Sequence, residues 1–367
     1  MNTNAAAVRT ADASADALIV GDGVIGLTAA FELVRAGVRC RILGCQRDGA
    51  ASGAAAGLLA PSVGRLPARA RPFFQASLRA YPELVAQLNA FEPSLRILRG
   101  LIELLSQDTS GSNIPRDGTR RSVDQIAQLE PSLVAPHGAR LHDQDGAVDN
   151  QVLVRALRSA LNAAGLTVEA ATVQSLDTRP PLAITTSAGE RITGRWIVLA
   201  AGAWTPVIRG LPRPIPIEPL KGQMLSVGNL ADSPGLRHPV MGDDVYVVPR
   251  EHETVIGATA EHAGFDLTVQ DEAIRRLRRS AASFCPALAE GPVLRAWAGI
   301  RPATPDMLPI IGPDPGVPNL LYACGHSKNG ILLAPATASA IRDLIVGQSA
   351  TDLSAFSIAR FSSPRSC

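Results

Sequence analysis

This chain of 367 residues has little net charge, few lysines and no long apolar stretch. The formal net charge is only +2, and two of the 35 basic residues are lysines, Lys221 and Lys328. Proteins that bind nucleic acid carry a clustered basic surface, so we expect no nucleic-acid partner. No stretch reaches the roughly 18 apolar residues of a membrane-spanning helix, so we expect no membrane span.

Cysteine is also sparse. The five cysteines are odd in number and lack the paired spacing of a metal site, so we expect no bound metal and a reduced, cytoplasmic protein. Residues 1–16 are small and polar without the apolar run of a signal peptide, which predicts a flexible extension. Hydrophobic residues make up 46% of the chain, enough for two cores in one two-domain enzyme. Whether the protein forms a homo-oligomer is left open.

A glycine-rich loop near the start has the context of a dinucleotide-binding motif. The loop reads G-D-G-V-I-G after an apolar strand at residues 17–20, and a helical pattern follows over residues 27–36. Glycines let the backbone approach a pyrophosphate, and the helix N-terminus supplies free N–H groups and the positive end of its dipole. The residues predicted to hold the cofactor here are Gly21, Gly23, Val24, Ile25 and Gly26.

Two residues depart from this motif. An acid that hydrogen-bonds the ribose is expected about 20 residues beyond the loop, but that position holds Gly44. Without it the ribose hydroxyls must bond to backbone, to Gln46, to Asp48 or to water. Arg47, close by, could accept a 2′-phosphate, so an NADP-dependent reductase is an alternative on local grounds. Asp22 places a carboxylate beside an anionic pyrophosphate, where it should weaken cofactor binding if it points inward and cost little if it points into solvent.

Further segments suggest that elements of the dinucleotide-binding domain return late in the chain. They include a small-residue run at 51–61, a buried strand ending in V-L-A-A-G-A-W, and the C-terminal segments W-A-G-I-R-P-A-T-P-D and G-H-S-K-N-G-I-L-L-A-P-A-T. Two interleaved domains are therefore expected. The predicted division is 17–75, 145–210 and 301–350 for the cofactor domain, 76–144 and 211–300 for the substrate domain, and 351–367 for a C-terminal tail.

With L-K-G-Q-M-L-S-V, Y-V-V-P-R and V-I-G-A-T between them, these segments resemble the D-amino-acid-oxidase family of flavoproteins. Within it they are most similar to the glycine oxidases of thiamine biosynthesis, from about residue 17 to 356. The resemblance implies an α/β fold, with a glutathione-reductase-like Rossmann domain for FAD and an α+β substrate domain built on a mixed or antiparallel sheet. Gly44 departs from the family, which usually has Glu or Asp there. FAD is expected to be non-covalent, since residues 299–303 lack the cysteine to which related sarcosine oxidases attach flavin.

The resemblance also implies roles for residues. Arg301 would bind the substrate carboxylate with two parallel hydrogen bonds, which lysine cannot reproduce, and Tyr246 would add a hydroxyl donor. No general base is needed if the amine reacts in its neutral form, so His326 is expected to pack. The expected pocket residues are Leu58, Ala260 and Lys328. The further residues expected around FAD are Ser52, Ala56, Gly57, Leu58, Val173, Ala201, Gly202, Trp204, Gly325, His326, Lys328, Asn329, Gly330 and Ile331.

The expected reaction is oxidation of a small amino acid by O2, with hydride transfer from Cα to flavin N5. Glycine is the first choice of substrate, and its imine product would hydrolyse to glyoxylate and ammonia or pass to thiazole synthase. Sarcosine, proline and D-amino acids remain alternatives, as does a quinone-coupled dehydrogenase. The NADP-dependent reductase and a flavoenzyme acting on tRNA bases are more distant ones.

Overall fold

The computed structural model describes residues 15–64, 66–106, 118–230, 235–348 and 351–361. Most of the predicted N-terminal extension, residues 107–117 of a polar loop that the sequence predicts at 107–121, and the end of the predicted tail, with Cys367, lie outside these residues. Ala15 and Asp16, placed in that extension, begin the first strand. None of the described helices is both long and apolar enough to cross a membrane. No cluster of potential metal ligands occurs within the same residues.

Helices of the described chain are interspersed among runs of strands. The strands are β1 (Ala15–Val20), β2 (Cys40–Gly44), β3 (Leu58–Leu59), β4 (Ile97–Leu104), β5 (Thr119–Arg121), β6 (Ala139–Val148), β7 (Val168–Ala170), β8 (Val173–Asp177), β9 (Ala183–Thr186), β10 (Arg191–Leu199), β11 (Glu218–Gly228), β12 (Val240–Met241), β13 (Tyr246–Pro249), β14 (Glu253–Gly257), β15 (Val293–Ala303), β16 (Ile310–Asp314) and β17 (Val317–Cys324). The helices are α1 (Val24–Arg35), α2 (Ala51–Ala54), α3 (Arg71–Leu88), α4 (Val123–Leu129), α5 (Asn150–Ala163), α6 (Asp271–Ala282), α7 (Ala287–Glu290) and α8 (Gly330–Val346).

The first sheet has a parallel centre. Its order is β16-β17-β10-β1-β2-β7, with β8 and β9 joined to the side of β10. Strand β1 pairs in parallel with β2 and β10, and β10 pairs in parallel with β17. The apolar run Leu18, Ile19 and Val20 is buried because helices cover one face and a second apolar cluster covers the other, as a central parallel strand requires. The loop after β1 lies at the carboxyl end of this sheet.

The second sheet is mixed. Its order is β15-β11-β14-β13-β12-β4-β6-β3, with β5 beside β6. Most neighbours are antiparallel, whereas β12 and β4 are parallel. The antiparallel register places Leu220 opposite Arg301 and Tyr246 opposite Gly257. The two sheets take their strands from alternating parts of the chain, so the predicted α/β fold with an interleaved mixed sheet is confirmed. The domain boundaries given above stay a prediction.

A proline inside α8 is compensated by side chains of α3. Pro335 has no N–H, so the carbonyl of Ile331, four residues earlier, lacks its helical donor. The buried Tyr81 hydroxyl donates to that carbonyl instead. Ser77 Oγ is inserted in the next turn, where it accepts from the Ala336 N–H at 3.1 Å and donates to the Leu332 carbonyl at 2.7 Å. Helix α3 thus fixes the first turn of α8.

This arrangement predicts a coupling between Tyr81 and Pro335. Replacing Tyr81 with phenylalanine leaves a buried carbonyl without a donor, which should lower the free energy of unfolding by about 1–3 kcal/mol. In a Pro335→Ala background the restored N–H can bond the same carbonyl, so Tyr81→Phe should cost less there. Urea denaturation of the four proteins of this cycle measures the coupling. Equal losses in both backgrounds would show that Tyr81 does not replace the missing helical bond.

The described part of the predicted tail, residues 351–361, packs against the body of the protein. Phe356 is buried and its ring lies 4.7 Å from that of Phe73. Arg360 Nε donates to Asp306 Oδ2 at 2.8 Å, and Nη2 to the Leu308 carbonyl at 2.8 Å. Residues 306–308 also line a cavity between the two sheets, so the C-terminal segment supports one wall of that cavity.

Candidate active site

A cavity of about 720 Å³ runs between the two sheets. This volume is in the range of small-molecule and cofactor sites, roughly 300–1,000 Å³. One end is lined by the glycine loop after β1, and another part by strands β11, β13 and β15 of the second sheet. Trp297 Nε1 of β15 donates to the Ala54 carbonyl of α2 at 3.0 Å. This bond links the second sheet to the short helix α2 beside the cavity.

The glycine loop meets the cavity as its sequence predicts, with one exception. Gly21, Gly23, Val24 and Ile25 line the cavity, whereas Gly26 does not. A Cβ on Gly26 would lie 2.0 Å from the Gly21 carbonyl oxygen, so this glycine allows close packing of helix and loop rather than ligand contact. Gly21 has φ +120, and a Cβ there would lie 2.2 Å from the backbone oxygen of Ala200, the residue after β10. No L side chain fits that position.

The small-residue run forms the wall beside this loop. Ser52 Oγ accepts a hydrogen bond from the Val24 N–H at 2.9 Å, so the run is fixed to the start of α1 rather than being a linker. Gly57 has φ +88, and a Cβ there would overlap the Val148 carbonyl oxygen at 1.7 Å. Asn150 Nδ2 donates to the Ser52 carbonyl at 2.7 Å. Of the predicted residues in this region, the cavity is lined by Ser52, Ala56, Gly57 and Leu58.

The ends of β10 and β8 supply another part of the wall. Ala201, Gly202, Trp204 and Val173 all line the cavity, as predicted. The Arg47 guanidinium lies 5.1 Å from the centre of the Trp204 ring, at cation–π distance. This contact gives Arg47 a partner other than a 2′-phosphate.

The C-terminal turn brings a second helix N-terminus to the cavity. Gly325, His326, Lys328, Asn329, Gly330 and Ile331 line it. Helices α1 and α8 both begin here, without an acidic residue in the first turn and without a side-chain cap. Two helix N-termini facing one cavity favour a ligand with negative charge at two places. Lys328 is exposed at the rim.

His326 is uncharged in this environment. Its side chain is buried and Nε2 lies 3.0 Å from Thr337 Oγ1. Burial lowers the pKa of His326 to about 3, which makes it a poor proton acceptor at neutral pH. The expectation that His326 packs rather than transfers protons agrees with this geometry.

The lowered pKa predicts a pH dependence of stability. Between pH 6.5 and about 3 the unfolded chain protonates this histidine and the folded protein does not, so stability falls as pH falls through that window. The slope contributed is at most about 1.4 kcal/mol per pH unit. His326→Gln cannot titrate and should show a shallower slope in urea denaturation from pH 7.5 to 4.5. Equal slopes for His326→Gln and wild type would show that His326 is not the group whose pKa is lowered.

Arg301 and Tyr246 meet in the part of the cavity formed by the second sheet. Arg301 Nη1 donates to the Thr259 carbonyl at 2.9 Å. This bond uses one of the five N–H donors of the guanidinium, so the others are not engaged by Thr259. The guanidinium lies flat on Gly222, where a Cβ would be 2.5 Å from Nη2. Burial raises the pKa of Tyr246 and the positive charge of Arg301 offsets part of that rise. The hydroxyl therefore keeps its proton at neutral pH.

The walls around this pair are largely apolar. Leu58 and Ala260 line the same cavity, as predicted, together with Met224 and Met241. Tyr246 Oη lies 3.9 Å from the Met224 sulfur. An arginine in such surroundings favours an anionic ligand group that it can bind with two parallel hydrogen bonds.

Sequence reasoning missed the roles of several residues of the site. Thr259 and Gly222, which fix Arg301, lie in the segments V-I-G-A-T and L-K-G-Q-M-L-S-V, but the resemblance gave them no role. Asn150, which joins α5 to the small-residue run, lies in none of these segments. Lys221, next to Gly222, is buried and Nζ donates to Asp266 Oδ2 at 2.8 Å, so it orders a neighbouring loop outside the cavity lining. The cavity-lining Cys324 is buried, which raises its pKa to about 12.

The cavity fits a dinucleotide cofactor at one end and a small anion at the other. The glycine loop and the uncapped N-terminus of α1 provide the part that would face a pyrophosphate. Arg301 and Tyr246 provide the part facing a small ligand. A flavin dinucleotide and an amino acid would together use both ends.

Comparisons with known proteins agree with this geometry. The family of FAD-dependent oxidoreductases called DAO matches residues 16–344. Glycine oxidase of Pseudomonas aeruginosa is 35% identical over 351 residues, which cover 90% of this chain and 94% of that protein. The solved structure of glycine oxidase from Geobacillus kaustophilus superposes with a TM-score of 0.86 at 27% identity, and the match covers 95% of this chain and 99% of that one.

The bifunctional protein ThiO/ThiG of Trichormus variabilis is 35% identical over 368 residues, which cover 94% of this chain. The match covers 55% of that relative, so the chain spans about half its length. Because the family match covers most of the chain and includes the glycine loop and Arg301, the cofactor is FAD. This chain belongs to the DAO family of FAD-dependent oxidoreductases.

Proposed function

We propose that this protein oxidises the Cα–N bond of a small amino acid, with glycine as the first choice. The observation that carries the proposal is the pair Arg301 and Tyr246 inside the cavity of an FAD-dependent oxidoreductase. The name glycine oxidase for relatives at 30–35% identity supports the choice of substrate. Bound FAD supplies the electron acceptor for the Cα–H bond.

Arg301 provides the anchor for the substrate. One guanidinium nitrogen is used by the Thr259 carbonyl, and this bond with the flat contact on Gly222 fixes the plane of the group. The remaining N–H donors can bind a carboxylate through two parallel bonds. The Cα of an amino acid is bonded directly to its carboxylate, so fixing the carboxylate also restricts the position of Cα. This positioning lowers the entropic part of the barrier to the reaction at Cα.

Tyr246 and the apolar wall complete the positioning. The protonated hydroxyl, next to Arg301, can donate to the same carboxylate. Met224, Met241 and Leu58 exclude water from the reacting Cα, which strengthens the bond between carboxylate and guanidinium. His326 takes no proton because its pKa is about 3, so the substrate amine must arrive in its neutral form or lose its proton to solvent.

The overall reaction proposed is glycine with O2 and water giving glyoxylate, ammonia and hydrogen peroxide. The imine product leaves the site for hydrolysis, and we further propose that it can pass to thiazole synthase. Support for this partner is the bifunctional ThiO/ThiG relative, in which the matched part is joined to a second protein. Co-purification of this chain with a thiazole synthase tests the association that such a transfer needs. A synthase that does not bind this chain would count against the transfer.

Peroxide release on a panel of amino acids tests the proposed function. Glycine should give the highest kcat/KM among glycine, sarcosine, D-proline and D-alanine. Propionate has the carboxylate without the amine, so it should inhibit competitively without being oxidised. A preference for one of the other three would correct the substrate, and dye reduction without peroxide would make the protein a dehydrogenase. No turnover of any of the four by either assay would overturn the proposal.

A further inference from the structure

The ribose-binding acid that this fold requires is missing from the end of β2, where Gly44 stands. A Cβ at Gly44 would lie 2.3 Å from Asp22 Cγ and 2.6 Å from Asp22 Oδ1. The carboxylate of Asp22 therefore occupies the space directly beside residue 44. Asp22, Gly44 and Cys45 all line the cavity.

Asp22 is fixed in this position by an arginine from a distant helix. Arg158 of α5 donates from Nη2 to Asp22 Oδ2 at 2.6 Å and to the Asp22 carbonyl at 3.3 Å. The two side chains are partly buried, with 31% of Arg158 and 15% of Asp22 exposed. Of the two carboxylate oxygens, Oδ2 accepts the bond from Arg158, and Oδ1 is the oxygen nearer Gly44.

The ion pair also changes the electrostatic expectation for the glycine loop. An unpaired carboxylate at Asp22 would repel a pyrophosphate, but Arg158 balances its charge at 2.6 Å. A carboxylate near a ribose, in contrast, is the usual partner of the 2′-hydroxyl in dinucleotide-binding folds. Asp22 thus has the chemistry and the location of the missing acid.

We propose that Asp22 hydrogen-bonds the adenosine ribose of FAD in this protein, in place of an acid at residue 44. The two positions form a matched pair, because a side chain at 44 and the present Asp22 carboxylate would overlap. In this chain the acid stands at the second position of the glycine loop and a glycine stands at the end of β2. Gly44 is required to leave room for it.

The first test measures binding of FAD and of an FAD analogue without the adenosine 2′-hydroxyl to the apoprotein, by flavin fluorescence. A hydrogen bond to a charged group should make wild type prefer FAD over the analogue roughly 10- to 100-fold. Asp22→Ala should bind both ligands within about threefold of each other, since the acid that reads the hydroxyl is gone. An Asp22→Ala protein that keeps the wild-type preference would overturn the proposal.

Arg158→Gln is the matched control, because it breaks the same ion pair and leaves the acid in place. Its affinity for both ligands can fall, but its preference for FAD over the analogue should stay near that of wild type. If Arg158→Gln loses the preference as completely as Asp22→Ala, the acid acts only through the ion pair and the proposal is wrong. The ratio of two dissociation constants is independent of catalytic activity.

Exchanging the two residues gives a second, independent test. Gly44→Glu alone should weaken FAD binding or prevent folding, because its Cβ overlaps Asp22. Asp22→Gly alone should bind FAD roughly 10- to 100-fold more weakly than wild type. The double variant Asp22→Gly/Gly44→Glu removes the overlap and restores an acid beside the ribose, so it should bind FAD more tightly than either single variant. A double variant no better than the singles would contradict the matched pair.

Discussion

Replacing Arg301 with lysine is expected to lower kcat/KM for the amino-acid substrate roughly 30- to 5,000-fold. This corresponds to a loss of about 2–5 kcal/mol in the free energy of binding the transition state. Lysine keeps the positive charge but cannot form two parallel bonds to a carboxylate. It would also lose the bond from Nη1 to the Thr259 carbonyl, which fixes the guanidinium at 2.9 Å. Steady-state kinetics with glycine, together with the Kd of propionate, measure the loss.

The control for this variant is Arg295→Lys on the same strand, β15. Arg295 is 40% exposed and pairs with Glu253 at 2.6 Å, away from the cavity lining. Its replacement should leave kcat/KM within about threefold of wild type, as expected for a surface ion pair. FAD content should be unchanged in both variants. An Arg301→Lys protein with wild-type kcat/KM and propionate affinity would remove Arg301 from the substrate site.

Replacing Gly222 with alanine is the second large effect expected. The new Cβ would stand 2.5 Å from Arg301 Nη2 and 2.6 Å from its Cζ, so the guanidinium must move. A displacement of about 1 Å at a positioning group can cost about 100-fold in rate. The expected result is a fall of that order in kcat/KM for glycine, with FAD still bound and the thermal unfolding temperature little changed, since the end of a side chain can move more cheaply than backbone.

Gly228→Ala provides the comparison on the same strand, β11. A Cβ there would meet only side-chain carbons, the nearest being Pro292 Cγ at 3.2 Å. Its kcat/KM should therefore stay near wild type. If Gly222→Ala has no greater effect on kcat/KM than Gly228→Ala, the position of the guanidinium does not depend on the flat contact with Gly222.

Features set by short-range spacing were predictable from the sequence. The strand, glycine loop and helix at residues 17–36 follow from local pattern, and the structure places β1, the loop and α1 there. The helix starts at Val24, inside the motif, because the loop glycines let the chain enter it early. Arg301 and Tyr246 were predicted through resemblance, since only the strand order β15-β11-β14-β13 brings their strands into one part of the second sheet.

Features set by long-range contacts were not predictable. The direction of the Asp22 side chain depends on Arg158, which is 136 residues later in the chain. The donor that replaces the missing N–H of Pro335 comes from Tyr81, and nothing near Pro335 in sequence indicates it. Thr259 and Gly222 acquire their roles only because the register of the second sheet places them beside Arg301. In each case tertiary packing decides what a residue does.

FAD and an amino acid held by Arg301 would share one cavity in the proposed enzyme. The visible spectrum of the purified protein during anaerobic addition of glycine tests both at once. We expect a yellow protein whose flavin absorbance bleaches with glycine and recovers when O2 is admitted, while Arg301→Lys bleaches only at much higher glycine concentration. A yellow protein that is not bleached by glycine, sarcosine, D-proline or D-alanine would contradict it.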